Sequence, residues 1–172
     1  MLCLPSGIHA WNVSAAENLA PDDFILPLST EGLGFLLLGS GLFSHRKACA
    51  CGVKVALGTD VGAGASFFLP QMMGEAYKVG QLRGEALDPL HAFYMATLAG
   101  ARALKADDRI GNLLPGKEAD FLVLNLAATP LLARRMSGAA TWPEKLFVLS
   151  LLADDRVVER TYLAGDLAHR RA

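Results

Sequence analysis

The stretch Gly58-Thr59-Asp60-Val61-Gly62-Ala63-Gly64 concentrates the residue types that do chemistry. An aspartate directly follows a short apolar run, residues 53–57, that reads as a buried parallel strand. A carboxylate at the C-terminal end of such a strand lies where α/β folds place catalytic groups. The flanking glycines let backbone and ligand approach closely. Three roles are open to Asp60: ligand to a divalent metal, general base, or cap of the following loop. A dinucleotide-binding turn is disfavoured, because Gly62-Ala63-Gly64-Ala65-Ser66 lacks the third glycine and Asp60 would set negative charge beside a phosphate.

Other candidates are weaker. The four histidines are His9, His45, His91 and His169, and none has two partners at metal spacing in the sequence. His45 reads as a surface group, His91 as the third residue of a helix, and His169 as part of a frayed basic tail. Cys3, Cys49 and Cys51 cannot form a closed disulfide set, and Cys49-Ala-Cys51 lacks the second Cys or His cluster of a zinc site. They read as thiols of a reducing cytoplasm. Phe67 and Phe68 could face a planar base, but helix packing is the favoured reading. Gly39-Ser40-Gly41 is either a substrate-facing loop or a simple turn.

These residues need elements to position them. Ser44 caps a helix over residues 45–51, stopped by Gly52. The strand at 53–57 leads through the glycine loop into a helix over 66–83, with Phe68, Met72, Ala76 and Val79 on one stripe. Asp88-Pro89 opens a further helix, with Leu90, Phe93, Leu98, Ala101 and Leu104 as its buried side. Residues 119–124 and 157–163 read as strands, and Pro143 opens a helix through 152. Two strands cannot make a stable sheet alone, so they must pair with others.

Composition bounds the rest. The chain has 172 residues, a prior of about one domain. Hydrophobic residues make up 52% and charged ones 19%, which excludes intrinsic disorder. A net charge of −1 leaves no broad basic footprint for nucleic acid. The apolar runs at 32–43 and 146–153 are too short to span a membrane, which takes ~20 residues. No positively charged signal-peptide region is expected, since the first Lys or Arg is Arg46. Residues 1–35 carry Pro5, Pro21 and Pro27, which interrupt every candidate element, and read as an unmatched leader.

The chain resembles the guanine deaminases of the amidohydrolase superfamily. The resemblance rests on Leu38-Gly39-Ser40-Gly41-Leu42-Phe43, on the Asp60 loop, on Glu75-Ala76-Tyr77-Lys78-Val79, and on Ala96-Thr97-Leu98-Ala99-Gly100-Ala101-Arg102-Ala103-Leu104. The superfamily element Ile110-Gly111-Asn112-Leu113-Leu114-Pro115-Gly116-Lys117-Glu118-Ala119-Asp120 follows. Asp154-Asp155-Arg156 and Tyr162-Leu163-Ala164-Gly165 resemble the final returning strand.

The resemblance implies an α/β fold, the C-terminal part of a (β/α)8 barrel plus part of a small composite β-sandwich, incomplete. Residues 36–107 would be the last barrel strand-helix units and 108–172 the sandwich strands with intervening helices. It implies a hydrolase that converts guanine and water to xanthine and ammonia with a hydroxide activated by Zn2+. Asp60 matches the family's metal-binding and catalytic aspartate. The sequence departs from the family in lacking its His-x-His pair and its Cys-Pro-Thr-Ser-Asn stretch. One carboxylate cannot hold catalytic zinc, which takes three protein ligands. The expectation is a chain inactive on its own that does not retain Zn2+ alone. The expected small-molecule partner is a purine. Two assemblies are open, a homodimer and a complementing N-terminal fragment. Other amidohydrolase deaminases or chlorohydrolases, and a non-catalytic interaction fragment, are the alternatives.

Overall fold

The computed structural model describes residues 25–29, 42–59 and 66–172. The first two strands, β1 (Ile25–Ser29) and β2 (Lys54–Gly58), pair in parallel, from Ile25 opposite Lys54 to Ser29 opposite Gly58. The sequence reading expected no element at β1, because Pro27 removes a ladder donor. The strand forms nonetheless, in a two-stranded sheet where each strand has a free edge among the described residues. An edge is where a strand tolerates proline.

Helix α1 (His45–Ala50) lies between these strands. Ser44 Oγ accepts from the Lys47 amide at 3.0 Å, and Gly52 takes the positive φ of 79° that ends the helix. Residues Val55 to Gly58 of β2 are buried without alternation, the pattern of a strand covered on both faces. One cover is α2 (Leu69–Leu82), which buries Met72, Met73, Ala76 and Val79 along one stripe. It starts three residues later than the sequence suggested. Ser66 Oγ accepts from the Phe68 amide at 3.0 Å, and Phe68 is extended. That side-chain turn competes with the first helical turn.

The helix expected from Pro89 to about Leu104 is two helices, α3 (Pro89–Met95) and α4 (Leu98–Ala103). Asp88 caps α3, with Oδ1 accepting from the amides of Leu90 and His91 at 2.9 and 3.1 Å. The break falls at Thr97, which leaves helical geometry and donates its hydroxyl to Phe93 O at 2.7 Å. The break changes which face is covered. Leu90 and Phe93, expected in the buried side, are 49% and 45% exposed, while Ala92, Met95 and Ala96 enter the core.

Past residue 108 the expected strands pair with each other and with a third. β3 (Phe121–Leu124), β4 (Val158–Leu163) and β5 (Asp166–Arg170) form an antiparallel sheet in that order. Residues Ala164 and Gly165 both have positive φ, which closes the β4–β5 hairpin with two residues. His169 therefore lies in a strand opposite Thr161, not in a frayed tail, although it is exposed as expected. Phe121 and Tyr162 stack across the sheet at 4.5 Å.

Two helices join β3 to β4. The first, α5 (Pro130–Ser137), was not expected. Thr129 caps it by accepting from the Leu132 amide at 3.2 Å. The second, α6 (Trp142–Leu152), starts with a capping box between Thr141 and Glu144. Two apolar clusters result. One gathers β2, α1, α2 and α3, and the other joins Phe68 and Leu132 to Val148, Leu149 and Val157. They meet where α2 and α6 pack, with Tyr77 edge-on to Phe147 at 4.9 Å. No described helix is long and apolar enough to cross a membrane.

Candidate active site

The parallel register brings the carboxyl ends of β1 and β2 to one side, with Ser29 opposite Gly58. In open α/β sheets ligands bind outside the carboxyl ends of the strands. Asp60 follows Gly58 by two residues in the sequence. Asp60 itself and the loop Val61 to Ala65 lie outside the described residues. So do Gly39-Ser40-Gly41, His9 and Cys3. The element that carries Asp60 forms as the sequence suggested, and β2 is anchored deeply: Leu57, next to its end, is almost wholly buried.

Of the two phenylalanines after the loop, Phe68 packs into the cluster with Leu132, as favoured from the sequence. Phe67 is 83% exposed and packs in no core. A cavity of about 630 Å³ lies between α3, α4 and β3. Its walls include Leu90, Phe93, Ile110, Leu113 and Phe121, and its carboxylate, Asp120, accepts from the Ala164 amide at 2.7 Å. An apolar space with an occupied carboxylate offers packing rather than hydrolysis.

A cluster of titratable groups lies beside α1. His45 Nε2 lies 3.4 Å from Cys49 Sγ and 3.3 Å from His91 Nε2. The sequence reading gave none of these histidines two partners. The His45 to Cys49 spacing of four on a helix was the available signal, whereas His91 arrives only by tertiary packing. Burial pushes the His45 pKa down, the neighbouring His91 adds to this, and Glu85 opposes it. Burial also raises the Cys49 thiol. Burial alone would raise Glu85, but hydrogen bonds from Ser44 Oγ, the Arg46 amide and Arg83 outweigh it and hold its carboxyl below the usual range.

The zinc expected from the resemblance finds no complete ligand set here. Among the described residues no group of three or more His, Cys, Asp or Glu is placed to hold a metal ion.

Comparison with known proteins bears on the parentage of the Asp60 loop. A family model described as "Amidohydrolase family" matches residues 12–168. The chain belongs to the amidohydrolase family. The match begins inside the stretch read as an unmatched leader, in keeping with the strand at β1. Guanine deaminase of Escherichia coli K12 is 52% identical over 136 residues, which is 79% of this chain and 31% of that protein. Probable guanine deaminase of Deinococcus radiodurans is 43% identical over 137 residues, again 31% of that protein. This amidohydrolase chain thus spans about a third of the length of these relatives. Among solved structures, E. coli guanine deaminase superposes with a TM-score of 0.87 and 44% identity, over 94% of this chain and 38% of that one. A guanine deaminase of C. acetobutylicum with guanine bound in its active site gives 0.63 at 28% identity, over 78% of this chain and 32% of that one. An adenosine deaminase of Xanthomonas campestris with bound zinc gives 0.66 at 26% identity, over 83% and 31%.

Proposed function

We propose that this amidohydrolase chain is the C-terminal part of a guanine deaminase, an enzyme that converts guanine and water to xanthine and ammonia. The observation that carries this reading is the 52% identity to the E. coli enzyme over four-fifths of the chain. In this reading residues 36–107 are the last strand-helix units of a (β/α)8 barrel and residues 108–172 belong to a β-sandwich. Asp60 is the chain's metal-binding and catalytic carboxylate, delivered by β2 to the barrel mouth. The work is intracellular and cytoplasmic, on a small purine.

The chain's own residues then have defined tasks. β2 fixes the position of Asp60 through a strand buried on both faces. The glycines at 62 and 64 leave room for a flat substrate to approach the backbone. The described residues do not fit a zinc ion, and the sequence has no His-x-His pair, so no step through a metal is assigned to this chain alone. In this reading catalysis needs metal ligands beyond the one that Asp60 supplies.

The test measures ammonia release from guanine in the presence of Zn2+. The purified chain alone should release none. Mixed with a separately produced N-terminal portion of the E. coli relative, it should gain activity that Asp60→Asn abolishes. Turnover by the chain alone, or activity in the mixture that survives Asp60→Asn, would refute the reading. A 5-methylthioadenosine/S-adenosylhomocysteine deaminase of Moorella thermoacetica is 39% identical over 97 residues. Adenosine derivatives therefore belong in the assay beside guanine, and a preference for them would move the substrate assignment within the same family.

A further inference from the structure

We propose that the corner where α5 meets α6 is a peripheral docking surface for a bilayer rich in anionic lipid. Charge comes first. Residues 121–153 hold only four charged side chains, Arg134, Arg135, Glu144 and Lys145. That is an excess of two positive charges inside a chain whose net charge is −1. Glu144 is engaged by the connector between the helices, where its Oε2 accepts from the amides of Ala140 and Thr141 at 2.8 Å. The two arginines are not so engaged: among the described residues neither guanidinium makes a hydrogen bond or ion pair.

Helical spacing collects these groups. Leu131, Arg134 and Arg135 stand at i, i+3 and i+4 of α5, so they share one face. A different face carries Leu132, wholly buried, and Met136, packed against the same apolar cluster. With that face turned to the core, Leu131 is left 58% exposed. Four residues, 138–141, join α5 to α6. Two backbone bonds fold this connector tightly, from Gly138 N to Arg135 O at 3.3 Å and from Ala139 N to Met136 O at 3.1 Å. Trp142 therefore emerges close to the end of α5. It is 69% exposed, and the Lys145 ammonium lies 5.1 Å from its ring centre.

A helix C-terminus accounts for the arginines, since cations there offset the macrodipole. It does not account for an exposed leucine and tryptophan beside them. Apolar anchors flanked by Arg and Lys, with tryptophan at the boundary, are the residue types of a surface that lies in a membrane interface. The shape agrees. None of Leu131, Arg134, Arg135, Trp142 and Lys145 lines the 630 Å³ cavity or the smaller one, about 370 Å³, beside α1. They stand on open surface, which suits a flat partner, whereas a bound peptide takes a groove or a strand edge. Cations near an anionic leaflet then supply attraction, and Leu131 and Trp142 supply the apolar contact.

The experiment sediments the full 172-residue chain, without an affinity tag, with lipid vesicles. The chain should partition onto vesicles of phosphatidylcholine and phosphatidylglycerol in equal parts, and not onto phosphatidylcholine alone. Salt at about 1 M, where charges act over only ~3 Å, should release it. Arg134→Gln and Arg135→Gln should each weaken partition about fivefold, and roughly 25-fold together. Arg134→Lys with Arg135→Lys, which keeps both charges, should hold it. In a Trp11→Phe background the Trp142 emission should shift to the blue on binding, and Trp142→Ala should weaken partition. Lys105→Gln, an exposed cation elsewhere, should change nothing. No partition, equal partition onto the neutral vesicles, or a double Gln variant that binds like the parent would overturn the proposal. So would tighter binding to polyglutamate than to the vesicles, by assigning the corner to an acidic protein segment. None of these results depends on guanine turnover, so failure here leaves the deaminase reading standing.

Discussion

Helices α2 and α6 approach one another closely at Gly74, where the outcome of one added methyl group can be worked through. A Cβ built on Gly74 would lie 2.4 Å from Ser150 O and 3.1 Å from Ser150 C. Both obstacles are backbone atoms in a helix, so no side chain can swing away. Restoring an ordinary contact means moving one helix by roughly an ångström, in an interior packed to crystal density. That shift would also disturb the edge-on pair of Tyr77 and Phe147. Overpacking costs about 1–3 kcal/mol, and a rigid obstacle argues for the upper end. Alanine is a better helix former than glycine by about 1 kcal/mol. Gly74→Ala should therefore lose a net ~2 kcal/mol, which lowers Tm by about 4–8 °C for a chain of this size. The sign decides, because propensity alone predicts a gain. The assay is urea unfolding followed by far-ultraviolet circular dichroism, with Gly138→Ala as the control. There the added carbon meets nothing nearer than Arg135 O at 3.7 Å. A Gly74→Ala variant as stable as the parent, with an unchanged m-value, would refute the close approach of α2 and α6.

Two further predictions test the second cluster and its capping. Leu132 is wholly buried against Val148, Leu149 and Val157, so Leu132→Ala should cost 2–5 kcal/mol by the usual range for such truncations (~2–5), read as a lower urea midpoint. At the start of α6, hydrogen bonds from the Thr141 amide and hydroxyl, and then from the Ala140 amide, hold the Glu144 carboxyl below its ordinary value. A carboxylate with a lowered folded pKa contributes stability that is fully present above its unfolded pKa, about 4.3, and is lost as the pH falls through the lowered folded value. Glu144→Gln should remove that part of the acid-side slope. An unfolding midpoint whose pH dependence below about 4.5 matches the parent's would count against the capping box.

The helix starts were legible because their signals are local. Ser44, Asp88-Pro89 and Pro143 each mark a helix start within one turn, and the structure uses all three, adding Thr141 as the cap before Pro143. Thr129-Pro130 is the same signal and opens α5 in the same way. What failed depended on partners distant in sequence. Pro27 argues against a strand until β2 is known to lie beside it. The apolar residues from Leu90 to Leu104 make one stripe only if the helix is continuous, and the Thr97 hydroxyl ends that continuity. The β4–β5 hairpin hides behind Ala164, since alanine is an unusual residue for a positive φ.

The candidate site divides in the same way. A strand that is buried on every residue from Val55 to Gly58 must be covered on both faces, and its carboxyl end must open toward whatever the α/β layer binds. That reasoning concerns β2, the strand that Asp60 follows in the sequence, while Asp60 itself lies outside the described residues. It cannot supply the ligands that a carboxylate needs for catalysis, because these come from other strands. The His45 and His91 pair shows the converse. The two residues are 46 positions apart, sit on separate short helices and meet only because α1 and α3 both pack in the apolar cluster around β2. Their contact is a product of packing, so any change that loosens that cluster should weaken the His45–His91 hydrogen bond, even where neither histidine is touched.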